Sequence, residues 1–474
     1  MSAAPVTGVP IGAETARGGR ALLVGILIWV AVIAALWPLA TSFGDEVGYI
    51  GEARLILAGR FRPIAGDVGI WLPGAHGSVA KYPLFPSLLM APFWALSPRV
   101  VFALGVAAAA AVALLAGRVL RAWGDDPIWA LVLLAHPTMV IIARTATADV
   151  PLCALMLATW WALRRDRYGA AVPLMAALFA IKATGFMIGG ALAVGEIWRR
   201  LPALRAGDRP ARRAALAVAA GVALGTALVM VANVITTGGV GFGYNHQAVG
   251  TAPFWFSHLP QTAPEHLRTV LLLPPLLFLG AVPFWRAREP APLLVILGFG
   301  GLMCVYFFVD SGTNWVETWV LAPRLLLPVV VFLLIGYAHL LAGLARRLTG
   351  RRWIVDGGLI IAAGAMALAV SWRHHRWQVP MGRALEAAQG LATQIGASQL
   401  DVLPQAVKAG VLFPGDVRMI EPRDANGPVV LCSDHSASYR LGVRDGRYAC
   451  SLPGYRSAFQ EGGFEVLARD DAQR

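Results

Sequence analysis

The stretch FGDEVGYIGEARLILAGRFRP, residues 43 to 63, opens with two adjacent carboxylates, Asp45 and Glu46, directly after an apolar run of about 20 residues. A carboxylate at the edge of an apolar run can take a proton as a general base, and Asp45 shares a helical face with Tyr49 at the i, i+4 spacing. Further charges stand in similar places: Lys81 before Tyr82, Arg144 and Asp149 in RTATADVP, Lys182 in LFAIKATGF, His246 beside Asn245, and Arg324 in LAPRLLLP. Carboxylates with cations nearby suit a reaction in which a base removes a proton while negative charge develops on a leaving group.

Each residue also has a structural reading. Ser42 and Asp45 could cap the helix that runs from about Val47 to Leu57. Lys81 could snorkel at an interface, and Arg144 and Asp149 could pair across a turn. Nothing beside Lys182 supplies a local partner, and a lone cation there needs an anion. His246 has no second histidine at ligand spacing, so no metal ligand set is identified. Phe254, Trp255 and Phe256, and the second group Trp315, Glu317 and Trp319, read as an interfacial belt, with stacking on sugar faces as the alternative.

The elements that must position these residues follow from composition. With 57% hydrophobic residues, 14% charged residues and 16 Trp, the chain is expected to be an α-helical polytopic membrane protein. The run ALLVGILIWVAVIAALWPLA lacks a cleavage site and reads as an uncleaved anchor. The net charge of +13 is divided among short clusters between apolar runs, which is a topological pattern rather than a nucleic-acid surface. These clusters are Arg17/Arg20, Arg118/Arg121, Arg164/Arg165/Arg167, Arg199 to Arg213, Arg286/Arg288 and Arg346 to Arg352, and all are placed in the cytoplasm.

Between them, spans are expected near 21–41, 99–117, 127–143, 149–163, 169–181, 184–198, 214–235, 269–285, 291–309, 321–344 and 353–372, or about eleven crossings. The amino terminus is then inside and residues 373–474 are outside. Segment 127–163 becomes a hairpin turning at ARTATADVP, and 169–198 becomes one with Lys182 at its outer tip. The proline-rich KYPLFPSLLMAPFWALSP is expected to lie on the outer surface as a juxtamembrane helix. On this topology Asp45, Glu46, Lys81, Arg144, Asp149, Lys182, His246 and Arg324 all reach the outer face and form one candidate site.

The expected domains are therefore 1–372, a transmembrane catalytic unit with outer loop 1 at about 42–98, and 373–474, a small soluble extracytoplasmic α/β domain. Within the latter, MGRALEAAQGLATQIGA reads as helix, and DVRMI and PVVLCS read as strands. Cys153 and Cys304 fall in expected spans, whereas Cys432 and Cys450 lie in the outer domain, where a disulfide between them is expected. No G-x-G-x-x-G opens a Rossmann unit and no Walker loop is present, so a nucleotide-bound donor or ATP drive is not indicated.

The segments GDEVGYIGEARLILAGR, KYPLFPSLLMAPFWAL, RTATADVPLCALMLATWWAL, FAIKATGFMIGGALAV and WVLAPRLLLPVVVFLL occur in the order seen in integral-membrane GT-C glycosyltransferases. Over residues 21 to 345 the chain resembles the branch that contains protein O-mannosyltransferases and the aminoarabinose transferases of lipid A. The resemblance implies a GT-C-like fold and transfer of a sugar from a polyprenyl-phosphate donor. It places Asp45, with Glu46 beside it, and Asp149 at the reaction centre, and Lys81 on the donor phosphate. Lys182 matches a Lys-x-Gly-like element in which Ala183 and Thr184 precede Gly185, and Arg324 matches an Arg-Tyr-Leu element with Leu325 in the Tyr position. The chain departs from the aminoarabinose enzymes in having Gly48 where they have Arg and Ala80 where they have an acidic residue, which argues against an aminoarabinose donor and the corresponding metal site.

The expected function is thus a lipid-phosphate-sugar glycosyltransferase, inverting at the anomeric carbon, in the cytoplasmic membrane, with a glycan, lipid or protein acceptor and no nucleic-acid partner. Asp45, Glu46 and Asp149 are the catalytic candidates, Lys81, Lys182, Arg324 and Arg144 the phosphate ligands, and Tyr49, Tyr82, Asn245 and His246 the substrate contacts. The donor lipid is a co-substrate, and no further cofactor is expected. The alternative is a transporter or flippase of lipid-linked sugars, which would favour charges near the membrane midplane on broken helices and paired internal repeats.

Overall fold

In the computed structural model the described residues are 13–74, 77–240, 254–306, 322–348, 352–421, 424–433, 450 and 452–471. The first apolar run forms α1 (Ala13–Ala35), with Trp29 and Ile33 fully buried on its inner face. The segment after it forms α2 (Gly44–Leu57), an antiparallel hairpin of β1 (Trp71–Gly74) and β2 (Gly77–Ala80), and α3 (Leu84–Leu96). The expected juxtamembrane segment is thus helical, starting after Pro83, a residue whose fixed φ and missing N–H suit a helix start.

After α4 (Ala103–Ala122), the expected span 127–143 is divided into a short turn, α5 (Leu131–Leu134) and α6 (Pro137–Ala143), because Pro137 cannot donate into a continuous helical ladder. The chain continues through α7 (Asp149–Arg164), α8 (Tyr168–Ile181), α9 (Ala183–Arg205) and α10 (Arg209–Thr237). Segment 259–304 is also broken up, into α11 (Leu259–Leu272), α12 (Ala281–Arg286), α13 (Pro290–Leu293), a π-helical turn and α14 (Gly300–Cys304). The last helices of the bundle are α15 (Ala322–Leu325), α16 (Leu327–Leu348) and α17 (Arg352–Gln394).

Among the described residues, five helical stretches are long and apolar enough to cross a membrane: Gly18–Ala35, Pro98–Ala122, Arg209–Thr237, Leu327–Arg347 and Trp353–Gln394. The other expected spans are shorter or interrupted helices. The boundary expected after Trp372 falls inside α17, which runs for 43 residues and takes up most of the segment read as a separate helix. Nothing between 373 and 394 stops it, since Pro380 interrupts one hydrogen bond without ending the helical geometry.

Beyond α17 lies a five-stranded sheet in the order β4-β3-β5-β7-β6. Here β3 (Gln399–Val402) is parallel to β4 (Asp416–Met419) and to β5 (Val429–Ser433), whereas β7 (Phe464–Arg469) is antiparallel to β5 and to β6 (Tyr455–Glu461). The crossover from β3 to β4 includes the short α18 (Val407–Gly410). All five residues of β5 are buried, as a central strand covered on both faces requires. Cys432, on β5, is disulfide-bonded to Cys450.

This sheet is tied to the segment between α1 and α3. Met419 N–H donates to the Gly66 carbonyl at 2.8 Å, and Thr41 Oγ1 donates to the Lys408 carbonyl at 2.9 Å. From α2, the Arg54 guanidinium donates to the carbonyls of Val411 (3.2 Å), Phe413 (2.8 Å) and Gly415. The helix α2, which carries Asp45 in its first turn, is therefore held at its far end by the strand-rich carboxy-terminal region.

Ionic groups mark the two ends of the bundle. At one end Asp125, fully buried, accepts from Arg346 at 2.6 Å and contacts His339 at 2.5 Å, while Arg200 meets Glu196 and Asp166, and Arg164 meets Glu289. The helix α7 connects this end, at Arg164, with Asp149 at its first residue, about 22 Å away at 1.5 Å per residue.

Candidate active site

Local sequence sets the start of α2. Phe43 is the N-cap residue and Glu46 the third helical residue, so the Glu46 side chain reaches back to the free N–H groups that every helix start leaves. One carboxylate oxygen accepts from Ser42 N–H at 2.5 Å and Phe43 N–H at 2.8 Å, and the other from Ala146 N–H at 2.8 Å. Burial pushes this carboxyl up to about 7 against the three N–H donors. Glu46 thus joins the start of α2 to the 144–148 turn.

Asp45 points elsewhere. Its Oδ1 accepts from the Tyr82 hydroxyl at 2.8 Å, and Oδ2 lies 3.1 Å from Arg324 Nη2. Burial alone would raise this carboxyl, but Arg324, Lys182, the Tyr82 hydroxyl and Lys81 outweigh it and hold Asp45 at about 2. Tyr82 reaches Asp45 because residue 48 is glycine: a Cβ there would stand 2.5 Å from two carbons of the Tyr82 ring. Tyr49, fully buried on the next turn of α2, packs its ring on Tyr82 with centroids 4.9 Å apart.

Arg324 joins the two carboxylates. Besides Asp45 it approaches Asp149, with Nε 3.8 Å from Oδ2, and its guanidinium lies over the Phe43 ring at 4.9 Å. Asp149 Oδ1 accepts from Lys182 Nζ at 2.5 Å. Lys182 is the one extended residue between α8 and α9, and Gly185 keeps that junction tight, since a Cβ there would meet the Leu178 carbonyl at 2.0 Å. The buried anion that Lys182 requires is thus Asp149, which does not pair with Arg144.

Lys81 completes the group from the end of the hairpin. Its Nζ stands over the Tyr82 ring at 5.3 Å, and with Lys182 it lines a cleft whose other walls include Phe179, Phe186 and Val229. Among the described residues Lys81 has no carboxylate partner. Two ammonium groups at the head of an apolar cleft suit, chemically, an anion that carries a hydrocarbon chain.

Arg144 lies outside this group. It is fully buried, donates to the Leu36 carbonyl at 2.5 Å and contacts His374 Nδ1 at 3.4 Å, so it fastens the 144–148 turn to the end of α1 and to α17. Asn245, His246, Trp315, Glu317 and Trp319 lie outside the described residues. Sequence reasoning passed over Glu52, which is buried between α2 and α3 and accepts from Ser87 Oγ at 2.6 Å. Its signal was the seven-residue spacing from Asp45, which returns to the same helix face. A divalent cation between Asp45 and Asp149 would have to displace Arg324 and Lys182.

No protein-family model matches the chain, and no curated protein matches it. Among solved structures it is similar to ArnT from Cupriavidus metallidurans bound to undecaprenyl phosphate, with a TM-score of 0.57 and 13% identity over 96% of this chain and 98% of that one. It is also similar to the same ArnT in the apo state, with a TM-score of 0.56 and 13% identity over 98% and 99% of the two chains. At such identity the likeness is one of fold. The chain thus has the fold seen in ArnT and includes, among the described residues, five helices long and apolar enough to cross a membrane.

Proposed function

We propose that the chain is a glycosyltransferase that moves a hexosyl or pentosyl group from a polyprenyl-phosphate donor to a hydroxyl of a glycan, lipid or protein acceptor. The observation that carries this reading is the Asp45–Arg324–Asp149–Lys182 cluster beside the apolar cleft headed by Lys81 and Lys182. The ArnT fold, in a structure described as bound to undecaprenyl phosphate, supports the donor class.

In this mechanism the acceptor oxygen attacks the anomeric carbon from the face opposite the phosphate. The C–O bond to the acceptor forms, the anomeric C–O bond to the phosphate breaks, and its electron pair leaves with the lipid phosphate. The acceptor proton passes to Asp45, and the anomeric centre inverts. A carboxylate held at about 2 is a weak base, since proton transfer is most efficient when the pKa lies near the working pH. Donor phosphate binding removes that restraint: the phosphate takes up Lys81, Lys182 and Arg324, Asp45 loses its counter-charges, and its basicity rises as substrate arrives. The same cations then stabilise the charge that develops on the departing phosphate.

The basic clusters at the Arg164–Arg200 end of the bundle support placing that end in the cytoplasm of a bacterial-type cell and the Asp45 end at the outer face of the cytoplasmic membrane, with the amino terminus inside and the carboxy-terminal domain outside. A deletion strain tests the reading: a polyprenyl-phosphate sugar should accumulate and a glycosylated envelope component should disappear, both by mass spectrometry. An unchanged lipid-linked pool would overturn it.

A further inference from the structure

The 36–42 connection, which leads from α1 into the helix that carries Asp45, is held by two side chains one turn apart on α17, His374 and Gln378, both fully buried. Gln378 Oε1 accepts from Leu39 N–H at 3.3 Å, and its Nε2 donates to the Ala40 carbonyl and, at 3.2 Å, to Ser42 Oγ. His374 Nε2 meets the same hydroxyl at 2.6 Å, and its Nδ1 lies 3.4 Å from Arg144 Nε. A guanidinium only donates, so Nδ1 accepts and the imidazole proton sits on Nε2, aimed at Ser42. Each ring nitrogen is thus committed to a different segment.

Those segments carry the two carboxylates. Ser42 precedes Asp45 by three residues, and Arg144 precedes Asp149 by five. Glu46 already ties them once, from the Ser42 and Phe43 N–H groups across to Ala146 N–H. A single tie lets two segments swing about it, whereas a second fixes the angle between them. His374 supplies that second tie from α17, and Arg144 carries it on to the Leu36 carbonyl at 2.5 Å. Phe43, whose ring lies under Arg324 at 4.9 Å, follows Ser42 directly and is fixed with it.

Resting on the glycosyltransferase reading above, we propose that His374 is a positioning residue for the reaction: through Ser42 and Arg144 it sets the placement of Asp45 relative to Asp149 and Arg324. Displacing a catalytic group by about 1 Å can cost on the order of a hundredfold in rate, because the base, the acceptor oxygen and the anomeric carbon must be aligned. Lys81 and Lys182 reach the cleft from the end of the β1–β2 hairpin and from the α8–α9 junction rather than from the two tied segments. Donor binding is therefore governed separately from turnover.

The test uses the full chain in nanodiscs, with the polyprenyl-phosphate sugar that accumulates in a deletion strain as donor and that strain's envelope fraction as acceptor. His374→Phe keeps a ring beside Trp377 but loses both nitrogens, so kcat should fall by about ten- to a hundredfold while the donor KM stays within about threefold. His374→Gln, which again offers one acceptor and one donor, should recover most of the loss. Ser42→Ala keeps the N–H on Glu46 and removes only the hydroxyl; it should show the same split, and its effect should be less than additive with that of His374→Phe. A purely structural role lowers the melting temperature and leaves kcat per folded molecule unchanged. That result, equal losses in His374→Phe and His374→Gln, or additive losses in the double variant overturn the inference and leave the glycosyltransferase reading standing. If His374→Phe does not fold, Ser42→Ala decides, and parental kcat in that variant overturns the inference. A deletion strain that accumulates no polyprenyl-phosphate sugar, or a parent chain that transfers none, overturns the reading and the inference together.

Discussion

Asp45 and Glu46 are neighbours in the chain, but their side chains serve different surroundings: Asp45 meets Tyr82 at 2.8 Å and Arg324 at 3.1 Å, while Glu46 accepts only backbone N–H groups, from Ser42, Phe43 and Ala146. The difference follows from the helix, on which successive residues point about 100° apart. It gives the two carboxylates separable phenotypes.

Asp45→Asn should lower transfer by roughly 10²- to 10⁴-fold, because it keeps the shape and the Tyr82 contact but removes the base. Donor binding should be retained, while the melting temperature should fall because Arg324 loses the carboxylate it meets at 3.1 Å. The assay is transfer from labelled polyprenyl-phosphate sugar, and near-wild-type turnover would remove the base from Asp45.

Glu46→Gln should act on folding. An amide has one acceptor oxygen, so it leaves at least one of three buried N–H groups facing an NH₂, at a cost of about 1–3 kcal/mol. The measurement is thermal unfolding in detergent. A variant as stable as the parent but inactive would return Glu46 to the chemistry.

The two lysines should separate in the same way. Lys81→Ala should weaken donor binding with little loss of stability, since Lys81 has no carboxylate partner among the described residues. Lys182→Ala should also destabilise, by about 3–5 kcal/mol, because Asp149, 4% exposed, would lose the ammonium that its Oδ1 meets. Binding isotherms and melting curves of both variants decide this.

The pH profile of transfer should be split. Free Asp45 is held at about 2, below its ordinary value of 3.8, so its ion-pair stabilisation is present above 3.8 and lost as pH falls from there towards 2. Once the donor phosphate engages the cations, Asp45 rises, so the acid limb of kcat should lie at higher pH than that of kcat/KM. Coincident limbs would contradict the proposed release of Asp45.

Glu52 carries the opposite linkage. Burial raises its carboxyl to about 7 from 4.5, so between these values the folded chain binds the extra proton and stability falls as pH rises, levelling off above 7. Glu52→Gln removes this titration. It should be more stable than the parent above pH 7, by up to about 3 kcal/mol, with the advantage gone below pH 4.5. Equal melting curves of the two proteins from pH 5 to pH 8 would count against it.

The sequence by itself determined what depends on local composition. Apolar runs long enough to cross a membrane gave α1, α4, α10, α16 and α17, and the β-branched run PVVLCS gave the central strand β5. The charges at the ends of those runs were legible as a group because a lone Lys182 next to apolar helices demands an anion, although the sequence left open which one. Pairing was decided by tertiary structure, because a side chain's partner depends on which backbones meet. Arg144 and Asp149 are five residues apart, yet one turns to Leu36 and the other to Lys182 and Arg324. Likewise the reach of Glu46 to Ala146, a hundred residues on, and the fit of the Tyr82 ring against Gly48 exist only once α2, the β1–β2 hairpin and the 144–148 turn are packed together. The chain boundary near Trp372 is the same lesson in another form: composition changes there, but a helix ends where its hydrogen bonds end, and in α17 they continue to Gln394.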